Sequence, residues 1–185
     1  MVMDKPSFPS RYSRVNHTIG VSLIELLIAV TVISLTISIG APALIESFKS
    51  QRVKGAAQTG YFMLQYARSV AISRGTDITL DFVSGSNWCV GISDSGPCDC
   101  STANSCTIDE IEFRLNAAQY RNVKMNNVTF SAGATVIDGR HGMATGHAGA
   151  LELTDGENTM KLVMSNLARV RICTETGNSG GYPSC

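Results

Sequence analysis

Apolar residues divide the chain into three stretches with different periods. From Leu26 to Ile45, twenty residues pass without a charge. At ~1.5 Å per residue, a helix of that length spans the ~30 Å hydrocarbon core of a bilayer. One carboxylate, Glu25, stands at the head of this run. After Pro42 the apolar residues thin to a stripe. Val53, Ala56, Ala57, Gly60, Tyr61, Leu64, Ala67, Val70 and Ala71 recur at steps of three and four, and Lys49, Arg52, Lys54, Gln58, Gln65 and Arg68 take other positions. That period is helical, and Gly75 after Arg74 is a stop signal. The two stretches predict one helix from about Ser22 to Arg74, ~80 Å long. Its first half is apolar all round and its second half amphipathic, needing a sheet to cover the stripe. Pro42, with Gly40 nearby, is expected to kink the helix or melt it locally.

From Thr76 the period becomes two. Ile78, Leu80 and Phe82 alternate with polar residues, then Trp88, Val90 and Ile92, then Ile111, Phe113 and Leu115. Met125 to Phe130, Leu151 to Leu153, Met160 to Met164 and Arg169 to Cys173 are further strand candidates. Ser84-Gly-Ser-Asn87 reads as a turn, and Asp155-Gly-Glu-Asn158 as a hairpin loop. The last dozen residues read as a loose, Gly-rich tail. One long helix followed by six or seven short strands gives an α+β architecture.

Charge and cysteine usage orient this architecture. Residues 1 to 19 carry Lys5, Arg11 and Arg14 against Asp4, two prolines and no long apolar block. Such a basic leader stays in the cytoplasm. An ordinary secretory signal places small residues after its apolar region; here the punctuating residue, Gly20, comes before it. A cut after Gly20 would keep the helix and create an amine on Val21, with Glu25 the fifth residue of the new chain. A carboxylate in apolar surroundings pairs or loses its charge. In a filament, the Val21 amine of a neighbouring subunit would supply the partner and set axial register, since any other offset leaves two unpaired charges. The competing account is that Glu25 snorkels to the lipid interface. Cys89, Cys98, Cys100, Cys106, Cys173 and Cys185 all follow the apolar run, on the side of the membrane where disulfides persist. Six cysteines allow fifteen pairings. The preferred arrangement closes a C-terminal loop with Cys173 and Cys185 and leaves the Cys89 to Cys106 group self-contained. Their spacing lacks the paired Cys-x2-4-Cys units of zinc sites.

Two groups of residues carry a family resemblance. Gly20 followed by Val-Ser-Leu-Ile-Glu25-Leu-Leu, with Pro42 just over twenty residues on, resembles the class III signal of type IV prepilins and type II secretion pseudopilins. Phe is usual where Val21 stands. The resemblance implies cleavage between Gly20 and Val21 by a prepilin peptidase, N-methylation of Val21 and assembly of the helix into a filament. Trp88-Cys-Val-Gly-Ile, Cys98-Asp-Cys100, Cys106 and Ala168-Arg-Val-Arg-Ile-Cys173 resemble the FimT/FimU minor pilins of the GspH/FimT family. That implies a type IV pilin-like fold, with one long helix packed on an antiparallel β-sheet domain. The implied parts are a cleaved leader (1–20), a transmembrane or filament-core helix (21–48), an amphipathic helix (49–75) and a disulfide-containing β-rich domain (76–185). The implied function is that of a minor pilin helping to initiate or cap a type IV pilus, moving from the inner membrane, with its C-terminal domain in the periplasm, to the extracellular pilus. Its partners would be major and minor pilins, the prepilin peptidase and the inner-membrane assembly platform. The alternative is a GspH-like pseudopilin of a type II secretion system; the cysteine pattern favours the pilus branch.

In the FimT branch a Gly-Arg-x-Arg element near the C-terminus is associated with DNA binding during natural transformation. Here Ala168 takes the Gly position, while Arg169 and Arg171 match, making double-stranded DNA a candidate partner. In a strand these arginines share one face and Val170 and Ile172 the other. Their ~6.6 Å spacing is close to that of successive phosphates, and the guanidinium fork suits phosphate. Lys161, Arg121, Lys124 or Arg140 would extend the patch. The competing account pairs the arginines with Glu175, Glu152 or Asp155. Removing the leader leaves twelve basic and fourteen acidic groups, so any attraction for nucleic acid is local. His141 and His147 bracket a Gly-rich segment read as a mobile loop. Asp109, Glu110 and Glu112 read as the polar side of a strand and its turn rather than a cation site. No nucleophile–base pair, phosphate loop or cofactor fingerprint is present, so neither an enzyme, a metal nor a cofactor is expected.

Overall fold

A computed structural model describes residues 20–177 and 180–185. The leader proposed for residues 1–20 therefore lies outside the described residues except for Gly20. The chain forms two units, residues 1–42 and 43–185. In the first, the described backbone enters helix α1 (Leu23–Arg74), which contains Pro42 and continues into the second unit. Large apolar side chains from Val21 to Phe48 leave 51% to 79% of their surface exposed. The helix is long and apolar enough to cross a membrane. The hydroxyls of Ser34 and Ser38 donate to the carbonyls of Val30 and Ser34, each at 2.8 Å, so these polar groups are satisfied along the helix itself.

In the second unit α1 is followed by β1 (Ile78–Val83), β2 (Cys89–Ser93), β3 (Thr107–Ile108), β4 (Ile111–Glu112), β5 (Arg114–Asn116), β6 (Lys124–Asn126), β7 (Ala134–Ile137), β8 (Gly149–Thr154), β9 (Thr159–Met164) and β10 (Val170–Thr176). They build two antiparallel four-stranded sheets, ordered β5-β2-β1-β7 and β10-β9-β8-β6, and a small β3-β4 hairpin. A bridge from Gly85 to Met125 links the larger sheets. The helical stripe read from the sequence is the buried one: Val53, Ala56, Ala57, Leu64, Ala67, Val70 and Ala71 join one core with Leu80, Val90, Leu115, Leu153, Leu162 and Val170. Trp88 is fully buried, and its indole N–H donates to the Val123 carbonyl at 2.8 Å.

The strand pattern departs from the six or seven expected. Ile111 to Leu115 splits at Phe113, whose amide bonds Cys106 while Ile92 bonds its carbonyl. Asn127, at φ 47, ends β6 well short of Phe130. β7 carries little alternation, but it pairs with β1 over Ile78 to Asp81. Strand pairing is a long-range event, so a segment with weak local signal is recruited by its partner.

The cysteines form Cys89–Cys100, Cys98–Cys106 and Cys173–Cys185. The first two pack over β2, which is buried along its whole length. Gly91 is required there, because a Cβ would lie 2.2 Å from the Cys106 sulfur. Beneath the knot, the Asp81 carboxylate accepts the Cys100 N–H at 3.0 Å. Burial nevertheless raises its pKa above the ordinary value. The tail is not loose where it is described. Thr174 N–H donates to the Pro183 carbonyl at 2.8 Å, and Cys185 N–H to the Thr174 carbonyl at 3.0 Å.

A candidate arginine surface and an apolar anchor

The β9–β10 turn sets the arginine pair. Ala168 N–H donates to the Ser165 carbonyl at 2.8 Å, and Ser165 N–H to the Arg169 carbonyl at 3.1 Å. Asn166, Leu167 and Ala168 thus form a three-residue hairpin loop, whose last position calls for a left-handed backbone. Ala168 supplies it at φ 51, with its side chain 1% exposed. The backbone shape that glycine would give freely is kept by alanine. Val170 and Ile172 turn toward the core, and Arg169 and Arg171 are exposed. Arg171 lies opposite Val163 on β9.

The carboxylates weighed as partners for these arginines are engaged elsewhere. Glu152, 7% exposed, is bonded by Lys161 at 2.9 Å and by Asn127. Lys161 also reaches Glu175 at 3.5 Å. Asp155 accepts the backbone N–H groups of Glu157 and Asn158 at 2.9 and 2.7 Å. Burial pushes the Glu152 pKa upward, but the hydrogen bonds donated by Lys161 and Asn127 outweigh it and hold the carboxyl below its ordinary value. The bond to Glu152 raises Lys161 above the usual lysine value. Lys161 is therefore a charge tied to two acids, unlike the arginines. Among the described residues, no ion pair involves Arg169 or Arg171. Lys124 is exposed on β6, across the sheet from β10. Arg121 and Arg140 are exposed outside the strands.

A strut absent from the sequence reading fixes the turn. Ala144 N–H donates to the Asn166 carbonyl at 2.8 Å, and Gly146 N–H to the Asn166 side chain at 3.2 Å. Arg68 holds the Gly142 carbonyl at 3.1 Å, and Thr135 holds that of His147 at 2.7 Å. The segment between the histidines is packed rather than free, because each contact comes from a distant part of the chain. No local signal joins residue 144 to 166. His141 bonds Asp138 at 2.7 Å, and that bond lowers the Asp138 pKa. Asp109 and Glu110, at φ 52 and 65, form the two-residue turn between β3 and β4. Arg74 clamps Asp109 and reaches Asp94 at 3.1 Å. Among the described residues no acidic or histidine group is arranged to hold a metal.

The other candidate site is the apolar segment. Gly20 and Val21 are exposed just ahead of α1, and Glu25 lies in its first turn. The Leu26 N–H donates to the Ser22 carbonyl at 3.2 Å, so helical bonding begins almost at Val21.

The family model described as type II transport protein GspH matches residues 56–178. No individual curated protein matches the chain significantly. A crystal structure of the type IV minor pilin FimU from Pseudomonas aeruginosa PAO1 superposes with a TM-score of 0.50 at 17% identity, covering 72% of this chain and 93% of that one. A second crystal form of FimU gives 0.48 at 17% identity, covering 70% and 96%. The FimU likeness bears on the fold, a long N-terminal helix packed on antiparallel sheets.

Proposed function

The chain belongs to the GspH family, whose members are structural subunits of pilin type rather than enzymes, and from that premise we propose that it is a minor pilin of a type IV pilus. The observation carrying this reading is the exposed apolar helical segment headed by a lone carboxylate. In our account the prepilin peptidase cuts between Gly20 and Val21, Val21 is N-methylated, and the helix anchors the chain in the inner membrane. The assembly platform then moves it into a filament of major and minor pilins, which it helps to initiate or cap. Glu25 pairs with the Val21 amine of a neighbouring subunit, since neither charge is tolerated alone in a dry core. Pro42 weakens the helix where one backbone bond is lost. Glu25→Ala should leave the chain folded but absent from sheared pili on immunoblots; normal incorporation would remove the register role.

A second role, capture of double-stranded DNA for transformation, is supported by two exposed arginines that, among the described residues, make no ion pair. Each phosphate neutralised adds a salt-sensitive increment, so one subunit binds weakly and many subunits or a tip complex supply avidity. Titration of the detergent-purified chain with duplex DNA tests this. Arg169→Ala with Arg171→Ala should lower affinity and reduce the log–log salt slope by ~2. An unchanged slope rules the role out. The family description also favours a competing reading, a pseudopilin of a type II secretion system. A deletion strain that secretes normally but lacks pili supports the pilus; lost secretion with normal pili supports the pseudopilin.

A further inference from the structure

We propose that the surface beside Arg171 takes a single strand of DNA, with an unpaired base stacked on Phe62 and the flanking phosphates held by Arg169 and Arg171. This deepens the DNA-capture reading and rests on it. Arg171 lines two grooves. One, of about 540 Å³, is lined by Val163, Leu167, Arg169 and Arg171 among others. The other, of about 510 Å³, is lined by Tyr61 and Phe62 from α1, Ile172 from β10, and Tyr182 and Pro183 from the tail. Among the described residues no carboxylate lines either groove. Arginines lining one groove and aromatic rings lining the other match the two parts of a nucleotide, an anionic phosphate and a flat base.

The aromatic half is prebuilt. The Cys173–Cys185 disulfide and the two backbone bonds between Thr174 and the tail fix the Tyr182 wall. Gln58 donates to the Tyr182 hydroxyl at 2.6 Å. Phe62 meets Tyr61 edge-on, with ring centroids 5.7 Å apart. Phe62 nevertheless leaves 66% of its surface exposed, so the fold spends little of its apolar area. In a duplex, paired and stacked bases hide their faces. An unpaired base offers its face to a ring, and stacking is tolerant of sequence. The aromatic wall therefore separates single strands from duplex, while the arginines serve both. A fixed groove also reduces the ordering cost on binding.

Fluorescence anisotropy on the detergent-purified full chain tests this with three probes: a 15-nucleotide thymidine strand, an abasic strand of that length and a 15-base-pair duplex. The thymidine strand should bind about tenfold more tightly than the abasic one. Phe62→Ala should bring it to the abasic level and leave the other two titrations unchanged. Phe62→Trp should preserve the preference. Alanine is a strong helix former at an exposed position, so the variant keeps the fold. Equal binding of thymidine and abasic strands, or no effect of Phe62→Ala, overturns the stacking proposal. If Arg169→Ala with Arg171→Ala still weakens all three probes, the phosphate role survives that failure. If the arginine variant changes nothing, DNA capture itself falls. Loss of pilus incorporation by Phe62→Ala with unchanged thymidine binding would overturn the proposal and assign the groove to subunit packing.

Discussion

Ala168 holds a left-handed backbone while its methyl group is buried, and that combination decides where the next residue points. A non-glycine residue at such a φ costs of order 1–3 kcal/mol. Replacing it with glycine removes the strain but gives up a buried methyl, worth about 0.8 kcal/mol, and frees the unfolded chain by about 0.4–1 kcal/mol. Ala168→Gly should therefore shift stability by less than about 2 kcal/mol in either direction. Ala168→Val is different, because a β-branched side chain is an outlier at positive φ. We expect it to cost about 2 kcal/mol or more in urea unfolding and to weaken DNA binding as Arg169 moves. A valine variant within about 0.5 kcal/mol of the parent would show that the turn does not position the arginines as argued. Arg169 and Arg171 were legible as an outward-facing pair from alternation alone. That they make no ion pair among the described residues was not, because it depends on Lys161 of β9 engaging Glu152 of β8 and Glu175 of β10.

The second half of α1 meets the sheets through small residues. Ala56, Ala57, Ala67 and Ala71 have no measurable exposure. A Cβ on Gly60 would come 3.3 Å from the Leu162 side chain, and one on Gly55 the same distance from Tyr120. Helix and sheet approach closely at this seam, so added volume has little room. Ala57→Leu should destabilise the chain by about 1–3 kcal/mol through overpacking, seen as a lower denaturant midpoint with an unchanged slope. Arg52→Ala, on an exposed position of the same helix, should stay within about 0.5 kcal/mol. An Ala57→Leu variant as stable as the parent would mean that the seam is looser than this packing implies. The helical stripe was readable because its period is local. β7 was not, because its pairing with β1 joins residues more than fifty positions apart.

Across the whole molecule, the proposed cut after Gly20 would set both charge and anchoring. The full chain has no net charge. Loss of the leader removes three basic residues and one acid, and the remainder is slightly acidic. In the proposed DNA-capture role, attraction would then come from a patch rather than the whole surface. Mass spectrometry of the chain taken from sheared pili should find a product that begins at Val21 and carries one added methyl group. A product beginning at Met1 would contradict the processing, the pairing of Glu25 with a new amine and the filament built on them.

Composition and periodicity alone determined the long helix, its apolar first half, its buried stripe and the α+β class. These depend on spacing between near neighbours and on the total apolar length, both written in the chain. Tertiary structure decided the division of the strands into two four-stranded sheets and a hairpin, the packing of the segment between His141 and His147 against Asn166, and the acids that occupy Lys161, while among the described residues Arg169 and Arg171 make no ion pair. It also placed Phe62 and Tyr182 in the groove that Arg171 lines. Those outcomes depend on groups far apart in sequence competing for the same hydrogen bonds and the same space, which no local pattern records.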